Sequence, residues 1–217
     1  MPATLPLFPL DNVVLLPGGV APLHIFEPRY RQMMEHALAR DRRIGMSVVR
    51  PDHAHELAGD PPLYPIGCAG FVAEHQRLPD GRFHLLLRAT HRFRVDREVP
   101  REAGRLYRVA EVTALEERLG DRDDALRARD RVIELLVQLT RRMLGPERGI
   151  DVEHLHALEL AQLASGVAQS VSLPTREKQA LLEADTLAER LERLGSALDF
   201  HLALLERAAA GGPETVH

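Results

Sequence analysis

"GCAGFVAEHQRLPDGRFHLLLRATHRFRV", Gly67–Val95, is the stretch that decides the fold. Pro79-Asp80-Gly81 lies near its middle. The proline presets φ, the aspartate carboxylate stabilises a tight turn, and the glycine accepts positive φ. Beyond the turn, Phe83, Leu85 and Leu87 alternate with His84, Leu86 and Arg88, and Phe93 and Val95 alternate with Arg92 and Arg94. A period of two gives one buried face and one wetter face, so the stretch reads as a β-hairpin.

Other strands lie on either side. "TLPLFPL" (Thr4–Leu10) and "NVVLLPGG" (Asn12–Gly19) read as strands punctuated by proline, with Gly18-Gly19 as a turn. Ile44–Arg50 and Leu106–Leu115 are further strands, and Asp52–Pro65 reads as a loop. One helix interrupts this half, in "PLHIFEPRYRQMMEHAL", Pro22–Leu38. Pro28 suits a first helical turn, where its missing N–H would have no partner anyway. Glu27 places a carboxylate at the positive end of the helix dipole. Arg29 or Arg31 can clamp Glu27 or a backbone carbonyl across the barrel. The segment is therefore read chiefly as a strand-to-helix joint.

The second half differs. Twelve of the fifteen prolines precede residue 101, and eight of the nine aromatic residues precede residue 108. Residues 1–115 carry a net charge of +2 and residues 116–217 a net charge of −6. Arg122–Leu144 reads as a long helix stopped by Gly145-Pro146. Asp151 starts a helix through Val167, Thr175 caps a third, and Asp185 caps a last helix with a leucine seam at 187, 191, 194, 198 and 205. The expected organisation is residues 1–117 as a β-barrel subdomain, 118–210 as a helical bundle and 211–217 as a frayed tail. The fold class is α+β.

Composition excludes several chemistries. Of 28 basic residues only Lys178 is a lysine, and it stands in "REKQ" with no glycine loop, so a Walker A motif is absent. A Ser-Lys dyad or Schiff-base enzyme would have to use that same lysine. Cys68 is the single cysteine, which leaves no internal disulfide and no cysteine zinc cage. No apolar run approaches the ~20 residues of a membrane span. His53 and His55 with Asp52 or Glu56, and the pair His154 and His156, read as polar surface rather than metal ligands. The basic run Arg88, His91, Arg92, Arg94, Arg97 and Arg101 is interleaved with Asp96, Glu98 and Glu102. It reads as a solvated strand face rather than a phosphate track.

Three blocks carry a resemblance. "LPLFPLDNVVLLPGGVAPLHIFEPRYRQMMEHAL", "LPDGRFHLLLRATHRFRV" and "SLPTREKQALLEADTLAERLERL" together resemble, in order, the N-terminal substrate-recognition domain of Lon-type ATP-dependent proteases. The resemblance implies a PUA-like, partly closed barrel with one helix, followed by a helical bundle. The sequence leaves no room for the ATPase and peptidase modules of a full-length Lon protease, so the expectation is a free-standing bacterial domain with no catalytic residues, no cofactor and no metal. "GCAGF", Gly67–Phe71, departs from the family's usual residues. The expected function is a cytoplasmic, non-enzymatic quality-control module. It would hold exposed segments of unfolded or damaged polypeptide in an apolar groove, with a separate protease as a further partner. Tyr30, Met33 and Met34 are the candidate peptide-binding residues. Glu27, Pro28, Arg29, Asp80, Gly81 and Arg82 are the structural motif. Nucleic acid and membrane are not expected partners, and a monomer or weak homodimer is expected. The alternative is a PUA-like RNA-binding domain.

Overall fold

The structure is a computed structural model, and it describes residues 3–56, 59–145, 147 and 149–210. The expected tail at 211–217 and residues 57–58 of the expected loop lie outside the described residues. The chain divides into two compact units. The first is Met1–Glu117 with Pro174–Glu183; the second is Arg118–Leu173 with Ala184–His217.

The first unit holds six strands: β1 (Ala3–Leu10), β2 (Val20–Ile25), β3 (Arg43–Val48), β4 (Ile66–Arg77), β5 (Phe83–Val99) and β6 (Val109–Ala114). Their order is β2-β5-β4-β3-β1-β6, and β6 also pairs with β5. The pairing therefore runs in a closed circuit through β5, β4, β3, β1 and β6. β1–β3 is its parallel contact, and β2 stands outside the circuit on the first half of β5. This is a mixed sheet with an added edge strand rather than a clean barrel. One strand serves both purposes because β5 is 17 residues long.

The expected turn forms at the β4–β5 hairpin. Gly81 takes φ +82°, and its N–H donates to the Leu78 carbonyl at 2.9 Å. Within the circuit, Leu5, Leu7, Ala69, Phe93, Ala110 and Val112 form a buried cluster. The Phe93 ring lies over two glycines: a Cβ at Gly67 would stand 2.5 Å from its Cζ, and one at Gly45 3.0 Å. Gly67 and Gly45 thus make room for the Phe93 ring.

Several expectations are corrected. "NVVLLPGG" is not a strand: Val14, Leu15 and Leu16 are buried in an irregular segment, and the chain turns at Pro17-Gly18 rather than Gly18-Gly19, the Gly19 N–H donating to the Leu16 carbonyl. Burial there comes from tertiary packing, which apolar content alone cannot distinguish from a strand. Asp52–Pro65 is not wholly loop, because Pro51–Glu56 forms a 3₁₀ turn. Arg92 does not lie on a wet face. It is 3% exposed, since its guanidinium donates to the Leu182 carbonyl at 3.0 Å and faces Glu117 at 3.5 Å.

That contact comes from α5 (Thr175–Glu183), which belongs with the sheet and not with the other helices. Gln179, 1% exposed, donates to the Ile66 carbonyl at the start of β4, at 3.0 Å. Arg92 meets a carbonyl near the C-terminus of α5, where a cation is favoured by the helix dipole. The expected assignment of all of 118–210 to one bundle thus differs from the observed division at residues 174–183. Thr175 is the first residue of α5 rather than its cap, and the Pro174 carbonyl accepts from Glu177 and Lys178.

The second unit contains α2 (Arg122–Leu144), α3 (Val152–Ala157), α4 (Leu160–Ser170) and α6 (Leu187–Ala210). Asp121 caps α2 by accepting from the N–H groups of Asp123 and Asp124. Asp151 caps α3 as expected, but the helix breaks at Leu158, whose backbone is extended. Leu163, Ala164, Val167 and Ala168 of α4 are buried, whereas α3 has no buried residue. The cap of α6 is Thr186, not Asp185. The Thr186 hydroxyl accepts from the Glu189 N–H at 3.2 Å, and the Glu189 carboxylate accepts from the Asp185 N–H at 2.8 Å. The hydroxyl bond is that of a capping box, but the carboxylate returns to the residue before the cap rather than to the cap itself. Leu191, Leu194 and Leu198 form its buried seam. Among the described residues, no helix is long and apolar enough to cross a membrane.

Candidate functional site

The strand-to-helix joint opens α1 (Pro28–Leu38). Glu27 is extended at the N-cap and makes no side-chain cap bond. Its carboxylate instead accepts from Arg29 Nε at 2.9 Å, and Arg29 also reaches the Gly59 carbonyl at 3.3 Å. The Arg29 guanidinium lies 4.5 Å from the centre of the Tyr30 ring. Arg31 donates to the Asp80 carbonyl at 3.0 Å. Two motifs that are 49 residues apart are therefore tied together: the joint and the hairpin turn. Asp80 in turn accepts from Arg82 Nε at 2.7 Å and from the Arg82 N–H at 3.1 Å. These bonds hold the exposed Asp80 carboxyl below the usual carboxylate range. These contacts of the joint and the turn are internal to the unit.

Tyr30, Met33 and Met34 do not line a groove. Met33 and Met34 are fully buried, and Tyr30 is 3% exposed. Together with Ala37 they form the inward stripe of α1. The Tyr30 ring packs edge-on to Phe8, with centroids 4.5 Å apart, and its hydroxyl donates to the Pro9 carbonyl at 3.2 Å instead of reaching the surface. Burial pushes its pKa up to about 12. The peptide-contact role expected of these three residues is corrected to a core role. An amphipathic stripe is the same pattern whether it meets a core or a ligand.

One surface that presents apolar groups lies elsewhere in the same unit, on the outer face of β2, β5 and β4. Register places three cross-strand rows there: Val20–Arg88–Phe71, Pro22–Leu86–Glu74 and His24–His84–Gln76. Eight of these nine side chains are exposed, and Leu86 is half-buried. Phe26, 60% exposed, continues the face beyond β2, and Val20 and Phe71 are each 38% exposed. β2 is the edge of the sheet, and its outer side carries no strand among the described residues. Pro22 has no N–H to give, which is tolerated at an edge. The signal in the sequence was the alternation of β5. It identified His84, Leu86 and Arg88 as a wet face but not their neighbours, because β4 carries bulges between Ala69/Gly70 and Val72/Glu74.

The basic run is largely engaged. Arg92 is buried, Arg94 faces Asp96, Arg97 holds Glu111 through two nitrogens and Arg101 pairs with Asp60. His53 and His55 both turn to Glu56. Among the described residues, no group of three or more His, Cys, Asp or Glu side chains is placed to hold a metal ion.

A curled mixed sheet with an open edge, an exposed face of mixed apolar and polar residues and a separate set of helices defines an α+β domain. The chain belongs to the ATP-dependent protease La (LON) substrate-binding domain family, whose model matches residues 4–199. It is 26% identical over 94% of its length to Lon protease of Azospirillum brasilense, and 29% identical over 90% to that of Xanthomonas oryzae. It spans about a quarter of the length of these curated relatives. Among solved structures, a Lon N-terminal domain protein from Xanthomonas campestris matches 89% of this chain and 98% of its own, at 27% identity and a TM-score of 0.62. The N-terminal domain of a Mycobacterium avium complex Lon protease has the same fold, with a TM-score of 0.70 at 18% identity.

Proposed function

We propose that this chain is a cytoplasmic, non-catalytic recognition module that binds extended segments of unfolded or damaged polypeptide on the β2–β5–β4 face. The observation that carries the proposal is an exposed row-patterned surface with Phe26, Val20 and Phe71 beside an open strand edge. An extended peptide laid along such an edge gains backbone hydrogen bonds from the strand and side-chain contacts from the face, and its specificity is loose. The family assignment supports polypeptide as the occupant. The pairing of Arg94, Arg97 and Arg101 with carboxylates weighs against a phosphate backbone, because those cations are already neutralised. The single Lys178 and the absence of a P-loop support a module without ATPase chemistry.

The test is a fluorescence-polarisation titration of labelled unfolded polypeptide and labelled single-stranded RNA at two salt concentrations. Polypeptide binding should be weak, little affected by salt, and much reduced in Phe26→Ser and Phe71→Ser variants that keep the wild-type unfolding midpoint. Unchanged binding in both variants refutes the site. Tight, salt-sensitive RNA binding refutes the class of ligand.

A further inference from the structure

His24 and His84 occupy one end of that face, and they meet in an unusual way. They are register partners on β2 and β5. His84 Nε2 stands 3.1 Å from His24 Nδ1, and the ring centres are 4.6 Å apart with planes at 65°. The sheet explains the approach. The Ala89 N–H donates to the Gly19 carbonyl, and Pro22 has no N–H. The odd-numbered residues of this part of β2 therefore carry the ladder bonds to β5, and His24–His84 is a non-hydrogen-bonded pair. Side chains come closest across such pairs.

We propose that His24 and His84 form a surface site for a divalent transition cation of the imidazole-preferring class, with Zn²⁺ as its probe and Gln76 as a weaker neighbouring donor. Two nitrogens bound to one cation at ~2.0–2.1 Å are separated by about 2.9 Å at a right angle and about 3.4 Å at the tetrahedral angle. The observed 3.1 Å lies between these limits, so the nitrogen spacing suits one cation once each ring turns to bring its lone pair off the line that joins the two nitrogens. In the free protein one facing nitrogen donates to the other. On ligation that imidazole moves its proton to its outward nitrogen, so neither ring changes charge. The outward nitrogens are His24 Nε2 and His84 Nδ1. Gln76, the register partner of His84 on β4, supplies a neutral oxygen from the third strand of the row, and water completes the shell. The charged side chains of these strands on this face are Glu74 and Arg88, each in a different row. Arg77, next to Gln76, is held by Glu35. This site stands on register and nitrogen geometry and is independent of whether the face binds polypeptide.

The experiment uses the full chain and Zn²⁺ alone, followed by calorimetric titration and by the nitrogen resonances of the imidazoles. One Zn²⁺ should bind per chain, and the His24 and His84 ring nitrogens should shift together. Binding should raise the urea midpoint, as any ligand of the native state does. Binding should be lost in both His24→Ala and His84→Ala, weaken in Gln76→Ala, and persist in a His53→Ala, His55→Ala variant. Absence of binding, binding that survives His84→Ala, or shifts confined to other histidines overturns the proposal. The resonances of the unaltered protein keep the test valid if a variant folds poorly.

Discussion

Replacing Gly70 by alanine should strain the sheet, and shortening Leu87 should relieve that strain. A Cβ at Gly70 would lie 2.5 Å from Leu87 Cγ and 2.8 and 2.9 Å from its two methyl carbons. Ordinary carbon contacts are ~3.5–4.0 Å, so the overlap is about 1 Å at one atom and nearly as much at two more. Leu87 is fully buried, and its strand is fixed by pairing to β2 and β4, so neither backbone nor side chain has room to withdraw. Overpacking of this kind costs about 1–3 kcal/mol. Leu87→Ala alone should cost about 2–5 kcal/mol through the cavity it leaves. In the double variant the new methyl enters that cavity. The pair should then be less destabilised than the sum of the two single changes, by about 1–3 kcal/mol. Urea unfolding followed by tyrosine fluorescence is the assay. The chain has no tryptophan, and Tyr30, Tyr64 and Tyr107 all lie in the first unit, so the signal reports that unit. Additivity within about 0.5 kcal/mol, or a neutral Gly70→Ala, would refute the reasoning.

Met33→Ala and Met34→Ala should each destabilise by about 2–5 kcal/mol, and the Met→Leu changes by less than about 1.5 kcal/mol. Polypeptide affinity per folded molecule should stay unchanged, as read by the same polarisation titration on folded protein. Tyr30 should make the first unit lose stability in alkali. Its folded pKa of about 12 exceeds the ordinary 10.0, so the contribution is whole below pH ~10 and is lost as pH rises towards ~12. Tyrosinate absorbance and the urea midpoint, measured across that window, check it; a midpoint indifferent to the window contradicts the assignment. Glu27→Ala and Arg29→Ala should each lower stability by about 1–3 kcal/mol through the broken part-buried pair, leaving polypeptide affinity intact; wild-type unfolding with abolished binding would make the joint a site. Arg92→Ala should destabilise the first unit by about 1–3 kcal/mol, because it strips a donor from the Leu182 carbonyl, whereas Arg94→Ala should have little effect. Denaturant midpoints separate the two.

The sequence by itself determined whatever depends on neighbours along the chain. The period of two on either side of Pro79-Asp80-Gly81 defines a hairpin because strand geometry alternates side chains whatever lies around them. The helix over Arg122–Leu144 is legible because its start, its stripe and its glycine stop are all local. Lysine scarcity and the order of the three blocks are also properties of the bare string. Tertiary structure alone decided the matters that depend on what comes alongside. Arg92 and Arg94 are the same residue type two places apart on one strand. Only α5, arriving from about 90 residues away, makes the first a buried anchor and leaves the second at the surface. Met33 and Met34 form a stripe that could face a ligand or a core, and β1 and its neighbours settle it as core. The nine-residue face follows from the register of three strands, and that register turns on two irregularities in β4–β5 pairing. A one-residue slip would send each side chain to the opposite face, and nothing in the local sequence of β2 states which residue of β5 it will meet.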